Sequence, residues 1–326
     1  EASLDARGLP RTPTNYFEAW WGMVVLGRAP DTGKPGKSDA EWWGTVVSLA
    51  ARVVSSLPPG YFADADRYSE VYQGSETQLV GLWPASALLA RSCVPVLVAV
   101  IEGAGEGHAG STSTLLMRLV ALAVDGRPKV RKDAQSGLTQ LLPTLLERSL
   151  FRAVAAAITL AMQEATRREC TAALYLLAWL ESALSSLQQM LPIVATEVRE
   201  EWLGGLEHCL GLGNTHLTVK CLAVLGHLCD GPSSERIYSL VSKVDGAANP
   251  DLVVPWLLAL GAVMMRSSAT SQSSSLPKSA TVEALDRVFR TIEDAESPPV
   301  LMAAKTAVEG ILAGAASSAD ALSDAD

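Results

Sequence analysis

The residues with the most chemical potential lie in three short stretches. His208, Cys209, His216, Cys221, His227 and Cys229 form the first. Imidazoles and thiolates are the ligands that zinc prefers. The close-spaced pairs of a zinc finger or ribbon are missing, however. Cys221, Leu225 and Cys229 also follow one another at four-residue steps, along one face of a helix, so the thiols read as small core residues. The second stretch, Gly36-Lys37-Ser38, resembles the end of a phosphate-binding loop. The full pattern needs a glycine where Asp31 stands, so an inter-helix loop is expected. No nucleophile-elbow motif occurs, and the carboxylate pairs Glu200–Glu201 and Glu293–Asp294 sit where solvated helix faces are expected. These residues predict a chain that is not an enzyme, with no catalytic residue, no metal, no cofactor and no small-molecule substrate.

The third stretch is more informative. Arg127, Lys129, Arg131 and Lys132 crowd the start of a helix that Pro128 opens. A helix N-terminus favours anions, so cations there carry a small cost that external phosphates would relieve. Two readings follow. One is a solvated loop whose cations pair with acidic neighbours. The other is a contact for RNA or an acidic partner, which Arg167 and Arg168, read as opening a later helix, would extend.

The elements that must position these groups are helices. Hydrophobic residues make up 48% of the 326-residue chain and charged residues only 19%, which excludes wholesale disorder. Aromatics are scarce, and the apolar content is mostly Ala, Leu and Val, which suits closely packed helices. The net charge of -9 excludes a uniformly basic nucleic-acid binder but leaves room for a local basic patch. Five cysteines without disulfide-framework spacing read as reduced thiols in an intracellular compartment. The longest strongly apolar run, Leu252 to Met265, is shorter than the ~20 residues a bilayer needs, so a buried helix and no membrane partner are expected.

Breakers cut the chain into helix-length pieces, and no strand–hairpin pattern appears. One set of offsets recurs. Val130, Ala134, Gly137, Leu138, Leu141 and Leu142 have counterparts beginning at Ala172, Leu217, Leu252 and Val300. Spacing near 40 to 47 residues, with two helices per unit, is the signature of HEAT and armadillo-type arrays. Each unit leaves an apolar face open, and the next unit buries it. The predicted fold is therefore all-α, a HEAT/armadillo-like α-solenoid of antiparallel helix pairs. Residues 1–75 form a divergent helical opening with Trp20, Trp21, Trp42 and Trp43 as anchors. Residues 76–314 form the HEAT-like repeats, with a flexible Ser/Thr-rich loop at 267–279, and 315–326 a disordered tail.

The basic stretch also carries a family resemblance. Arg127-Pro-Lys-Val-Arg-Lys-Asp-Ala-Gln-Ser-Gly-Leu138 resembles a segment of the ribosomal RNA processing protein 12 family, HEAT-repeat proteins of the eukaryotic nucleolus. Pro13-Thr-Asn-Tyr-Phe-Glu-Ala19, Gly110-Ser-Thr-Ser-Thr-Leu115 and Asn249-Pro-Asp-Leu-Val-Val-Pro-Trp-Leu257 resemble further family segments in the same order. The match is poor between 29 and 75. Members are several times longer, so the chain resembles an N-terminal portion or a shortened relative. The resemblance implies a non-enzymatic scaffold of the nucleus and nucleolus. Its partners would be the pre-ribosomal particle, with pre-rRNA and assembly factors. Its roles would be small-subunit assembly, rRNA processing and subunit export. The alternative with the same architecture is a nuclear transport receptor or adaptor, which binds proteins and a nuclear GTPase.

Overall fold

A computed structural model describes residues 8–26, 37–147, 150–186, 196–228, 233–246, 249–267, 276, 278–293 and 295–323. Among the described residues there are helices and turns and no strand. The chain divides into two compact units, Glu1–Ala157 and Ile158–Asp326.

The first unit contains α1 (Pro13–Val25), α2 (Lys37–Val54), α3 (Ala65–Gly74), α4 (Ala87–Gly103), α5 (Ala109–Ala123) and α6 (Pro128–Glu147). Helix α7 (Phe151–Gln163) contains the division. The second unit continues with α8 (Thr171–Ser186), α9 (Thr196–Gly211), α10 (Thr215–His227), α11 (Ser234–Lys243), α12 (Pro250–Ser267), α13 (Lys278–Ile292) and α14 (Pro298–Ser323). Short polar side chains start several of them. Thr12 accepts from the Asn15 N–H, Ser86 from Leu89 and Asn214 from Leu217. Each such cap satisfies an orphan donor and contributes about 1 kcal/mol.

The even-numbered helices stack in series, α2 on α4 on α6 in the first unit and α8 on α10 on α12 on α14 in the second. The predicted apolar offsets lie on these stacking helices. On α6, Val130, Ala134, Gly137, Leu138, Leu141 and Leu142 are all buried. On α10 the same positions, Leu217, Cys221, Val224 and Leu225, are buried as well. Every fully buried leucine of this kind stabilises the fold by about 1.5–3 kcal/mol. Small residues let α12 and α14 approach closely. A Cβ added to Gly310 would lie 2.5 Å from the Gly261 carbonyl oxygen, and one added to Gly261 would lie 2.7 Å from the Ala307 Cα.

Side-chain hydrogen bonds record the repeat length. Arg91 donates to Asp133, Tyr68 pairs with Thr112 and Tyr238 donates to the Ala280 carbonyl, at separations of 42, 44 and 42 residues. Where the sequence copies at 217 and 252 stand closer together, the bonds shorten too. Ser233 to Glu200, Lys243 to Glu207 and Asn249 to Thr215 span 33, 36 and 34 residues. The bonds therefore join equivalent positions of neighbouring helix pairs, which is the property that defines a solenoid. The fold is an all-α HEAT-type array.

The structure corrects several details. The repeat copy read from Ala172 begins a helix of its own; α7 ends at Gln163 and a loop intervenes. No glycine or proline marks that loop. It closes through Thr166, whose N–H bonds to the Glu169 carbonyl and whose hydroxyl accepts from the Glu169 N–H, each at 3.0 Å. Ala172 itself is exposed, as is Leu312 at 53%. Of the four tryptophans expected as anchors, Trp21 and Trp43 are buried, while Trp20 and Trp42 are half-exposed. Trp21 stacks on Phe17, which meets Tyr61 and Phe62 edge-on. The line at 315 falls within α14, which runs to Ser323. Most of the 267–279 stretch lies outside the described residues. The window Pro298–Ala316 of α14, with mean hydropathy 1.3, is long and apolar enough to cross a membrane. Its apolar composition has a local use, since Ala303, Ala304, Ala307 and Ile311 are buried and α14 packs along α12.

Candidate nucleic-acid interface

The basic stretch occupies the tight turn from α5 into α6. Helix α5 ends at Ala123, and Asp125 and Gly126 lead into Arg127 and the first helical residue, Pro128. Asp125 organises the turn. Its Oδ1 accepts from the Arg127 backbone N–H at 2.8 Å and from Arg127 Nε at 2.9 Å, and its Oδ2 accepts from the guanidinium at 2.7 Å. The same guanidinium donates to the Trp83 carbonyl at 3.1 Å and the Pro84 carbonyl at 3.4 Å. Arg127 thus fastens the turn to the preceding repeat, 44 residues earlier. Arg131 donates to the Asp125 carbonyl at 2.8 Å, and Gln135 donates to the Ala123 carbonyl at the end of α5 at 3.1 Å. Hydrogen bonding from Arg127 holds the Asp125 carboxyl below the usual carboxylate range, and the same contact raises the Arg127 guanidinium.

The four cations therefore divide into two kinds. Arg127 and Arg131 are half-buried and spend their donors on the turn itself. Lys129 and Lys132 are exposed and, among the described residues, have no ion-pair partner. They stand three apart on the first turn of α6, so their amines share one face. The first-turn N–H groups beside them have no helical carbonyl to bond. Rigid backbone, two solvated ammonium groups and a helix N-terminus make an arrangement that can receive phosphate. Arg167 and Arg168 are exposed in the Thr166–Cys170 loop before α8 and belong to the second unit. Sequence reasoning passed over Asp125 and Gln135. The signal available was an acid two residues ahead of an arginine at a helix start.

The other stretches hold the array together. His208 Nε2 lies 3.0 Å from the Ala165 carbonyl, and Cys209 Sγ donates to the Met162 carbonyl at 3.6 Å. His227 Nε2 lies 3.2 Å from Ser185 Oγ. Burial and the nearby Arg266 push the His227 pKa below the ordinary imidazole value. Cys221 is buried in α10, and Cys229 lies outside the described residues. Among the described residues, no three His, Cys, Asp or Glu side chains are placed to share a metal ion. Asp31 and Gly36 lie outside the described residues, and Lys37 and Ser38 open α2.

Residues 1–236 match the family described as RRP12-like, N-terminal HEAT repeats. The chain belongs to this family. The matched span contains the α5–α6 turn and the repeats on either side of it. Among curated proteins, no sequence matches the chain. Two solved structures of engineered proteins, both from the Northeast Structural Genomics Consortium, are similar to it at low identity. One is 14% identical over 91% of this chain and 97% of its own, with a TM-score of 0.28. The other is 13% identical over 96% of this chain and 89% of its own, also with a TM-score of 0.28. The fold assignment rests on the repeat geometry and the family match.

Proposed function

We propose that this RRP12-like chain is a non-enzymatic scaffold of the nucleolus and nucleus that docks on pre-ribosomal particles during small-subunit assembly, rRNA processing and export. Family membership supports the ribosomal setting. The observation that carries the contact is the pair of exposed lysines, Lys129 and Lys132, without an ion-pair partner among the described residues, on a turn locked by Asp125 and Arg127. In this reading the lysines neutralise RNA phosphates, and Arg127 and Arg131 hold the backbone that presents them. Arg167 and Arg168 add phosphate contacts from the second unit. Contacts of this kind position a protein on RNA without reading sequence. The net charge of -9 keeps the rest of the surface from binding RNA indiscriminately.

Sedimentation of cell extracts on a density gradient tests the reading. The wild-type chain is expected to travel with pre-ribosomal particles until ribonuclease is added. The variant Lys129→Glu, Lys132→Glu, Arg167→Glu, Arg168→Glu is expected to stay at the top of the gradient. Co-sedimentation of the variant at wild-type levels would show that these cations do not make the contact.

A further inference from the structure

We propose that a groove in the first unit, between the loop after α2, helix α4 and helix α6, binds an extended cationic segment of a partner protein. The groove encloses about 600 Å³, within the range of sites that hold several side chains. Its floor is apolar. Val94 and Val98 of α4 lie under Gly137 of α6, where an added Cβ would come within 2.8 Å of the Val98 side chain. One wall is the Pro58–Phe62 loop, and it is already in place. The Tyr61 hydroxyl donates to Glu18 at 3.1 Å, the Arg67 guanidinium lies 4.4 Å from the centre of its ring, and Phe62 packs against Gly103. A preformed wall lowers the ordering cost of binding.

Ser55 and the four polar side chains that follow can each accept a hydrogen bond. Glu102, Asp133, Ser136 and Gln140 line it, and no Lys, Arg or His does. Asp133 is held by Arg91 at 2.6 Å. Glu102 is exposed and, among the described residues, has no ion-pair partner. Among the described residues, the groove therefore presents one carboxylate with no cationic partner, beside apolar surface. RNA phosphate is repelled by that charge, and an acidic peptide is too. An extended segment that mixes apolar and basic side chains matches it. The apolar groups would cover the exposed Pro95 and the half-buried Leu57 and Ala99, the segment's N–H groups would reach Ser136 and Gln140, and a Lys or Arg would pair with Glu102. This surface is opposite in charge to the Lys129–Lys132 turn and is argued independently of the ribosomal reading.

The test uses the whole chain and fluorescein-labelled nonapeptides, read by fluorescence anisotropy. (Lys-Leu-Gly)3 is expected to bind, (Lys-Ser-Gly)3 at least tenfold more weakly, and (Glu-Leu-Gly)3 not at all. Glu102→Lys is expected to weaken (Lys-Leu-Gly)3 by about three- to tenfold, the range for reversing one rim charge. Ala99→Arg, which fills the groove with a cation, is expected to abolish binding. Glu235→Lys, an equal change of charge in the second unit, is expected to leave it unchanged. Circular dichroism confirms that each variant keeps its helices. Equal binding of (Lys-Ser-Gly)3, or equal weakening by Glu235→Lys, would mean diffuse attraction to an acidic chain and would overturn the proposal. Binding of a labelled oligouridylate that Ala99→Glu abolishes would assign the groove to RNA and also overturn it.

Discussion

Replacing Arg127 with Gln separates the two jobs of the basic turn. The substitution removes two hydrogen bonds to the Asp125 carboxylate, at 2.9 and 2.7 Å, one to the Trp83 carbonyl at 3.1 Å and a longer one to the exposed Pro84 carbonyl at 3.4 Å. A charge-assisted bond is worth about 1.5–3 kcal/mol when it is shielded from water. The Arg127 side chain is 32% exposed, so its ion pair is discounted toward about 1 kcal/mol. The stranded Trp83 carbonyl adds about 1 kcal/mol. A loss of about 2 kcal/mol is therefore expected, which for a unit of this size lowers the melting temperature by about 4–8 °C. The Lys129→Gln, Lys132→Gln double variant removes two exposed amines that pair with no acid among the described residues. It is expected to change stability by no more than about 0.5 kcal/mol. Thermal melting of the whole chain, with hydrogen exchange at the amides of α5 and α6, measures both. Equal melting of Arg127→Gln and wild type would refute the fastening role. A loss from the lysine variant as large as that from Arg127→Gln would refute the division between holding and presenting residues.

Two further outcomes follow from the packing and the half-buried imidazole of His227. Gly310→Val places a side chain where even a Cβ would sit 2.5 Å from the Gly261 carbonyl, so α12 and α14 must separate. Overpacking of this kind costs about 1–3 kcal/mol, and hydrogen exchange should quicken in α12 and α14 but not in α10; uniform protection would exclude so close an approach. His227 has a folded pKa below its unfolded value, first through burial and then through Arg266. The unfolded chain therefore takes up the proton first, and stability falls as pH drops from 7 through the ordinary imidazole value toward the depressed one. His227→Gln is expected to remove that slope from melting curves taken between pH 7 and 5, and an unchanged slope would place its origin elsewhere.

The fold was legible because small apolar residues recur at fixed offsets, and burial at Val130, Ala134, Leu138 and Leu142 follows them closely. The array also hides part of its plan. The break before α8 depends on Thr166 bonding to Glu169, a local side-chain turn that carries no Gly or Pro marker. Leu312 has the right offset but is exposed, because periodicity fixes a face of the helix and not whether that face is covered. Similarly, the basic stretch stood out by density alone, while the roles of its members did not. Arg127 and Lys129 are equally cationic in sequence. Only the position of Asp125 and of two carbonyls 43 and 44 residues away decides that one is consumed and the other offered. The groove below Pro58 was invisible for the same reason, since its walls come from three segments far apart in the chain.

The most direct measurement is the salt dependence of affinity for single-stranded RNA, wild type against Lys129→Gln, Lys132→Gln. Each phosphate contact contributes about 0.7 to the slope of log affinity against log salt. The lysine variant is expected to bind more weakly on every RNA sequence tested, with a slope shallower by about 1.4. Parallel lines of equal affinity would contradict the assignment of this turn as the RNA contact.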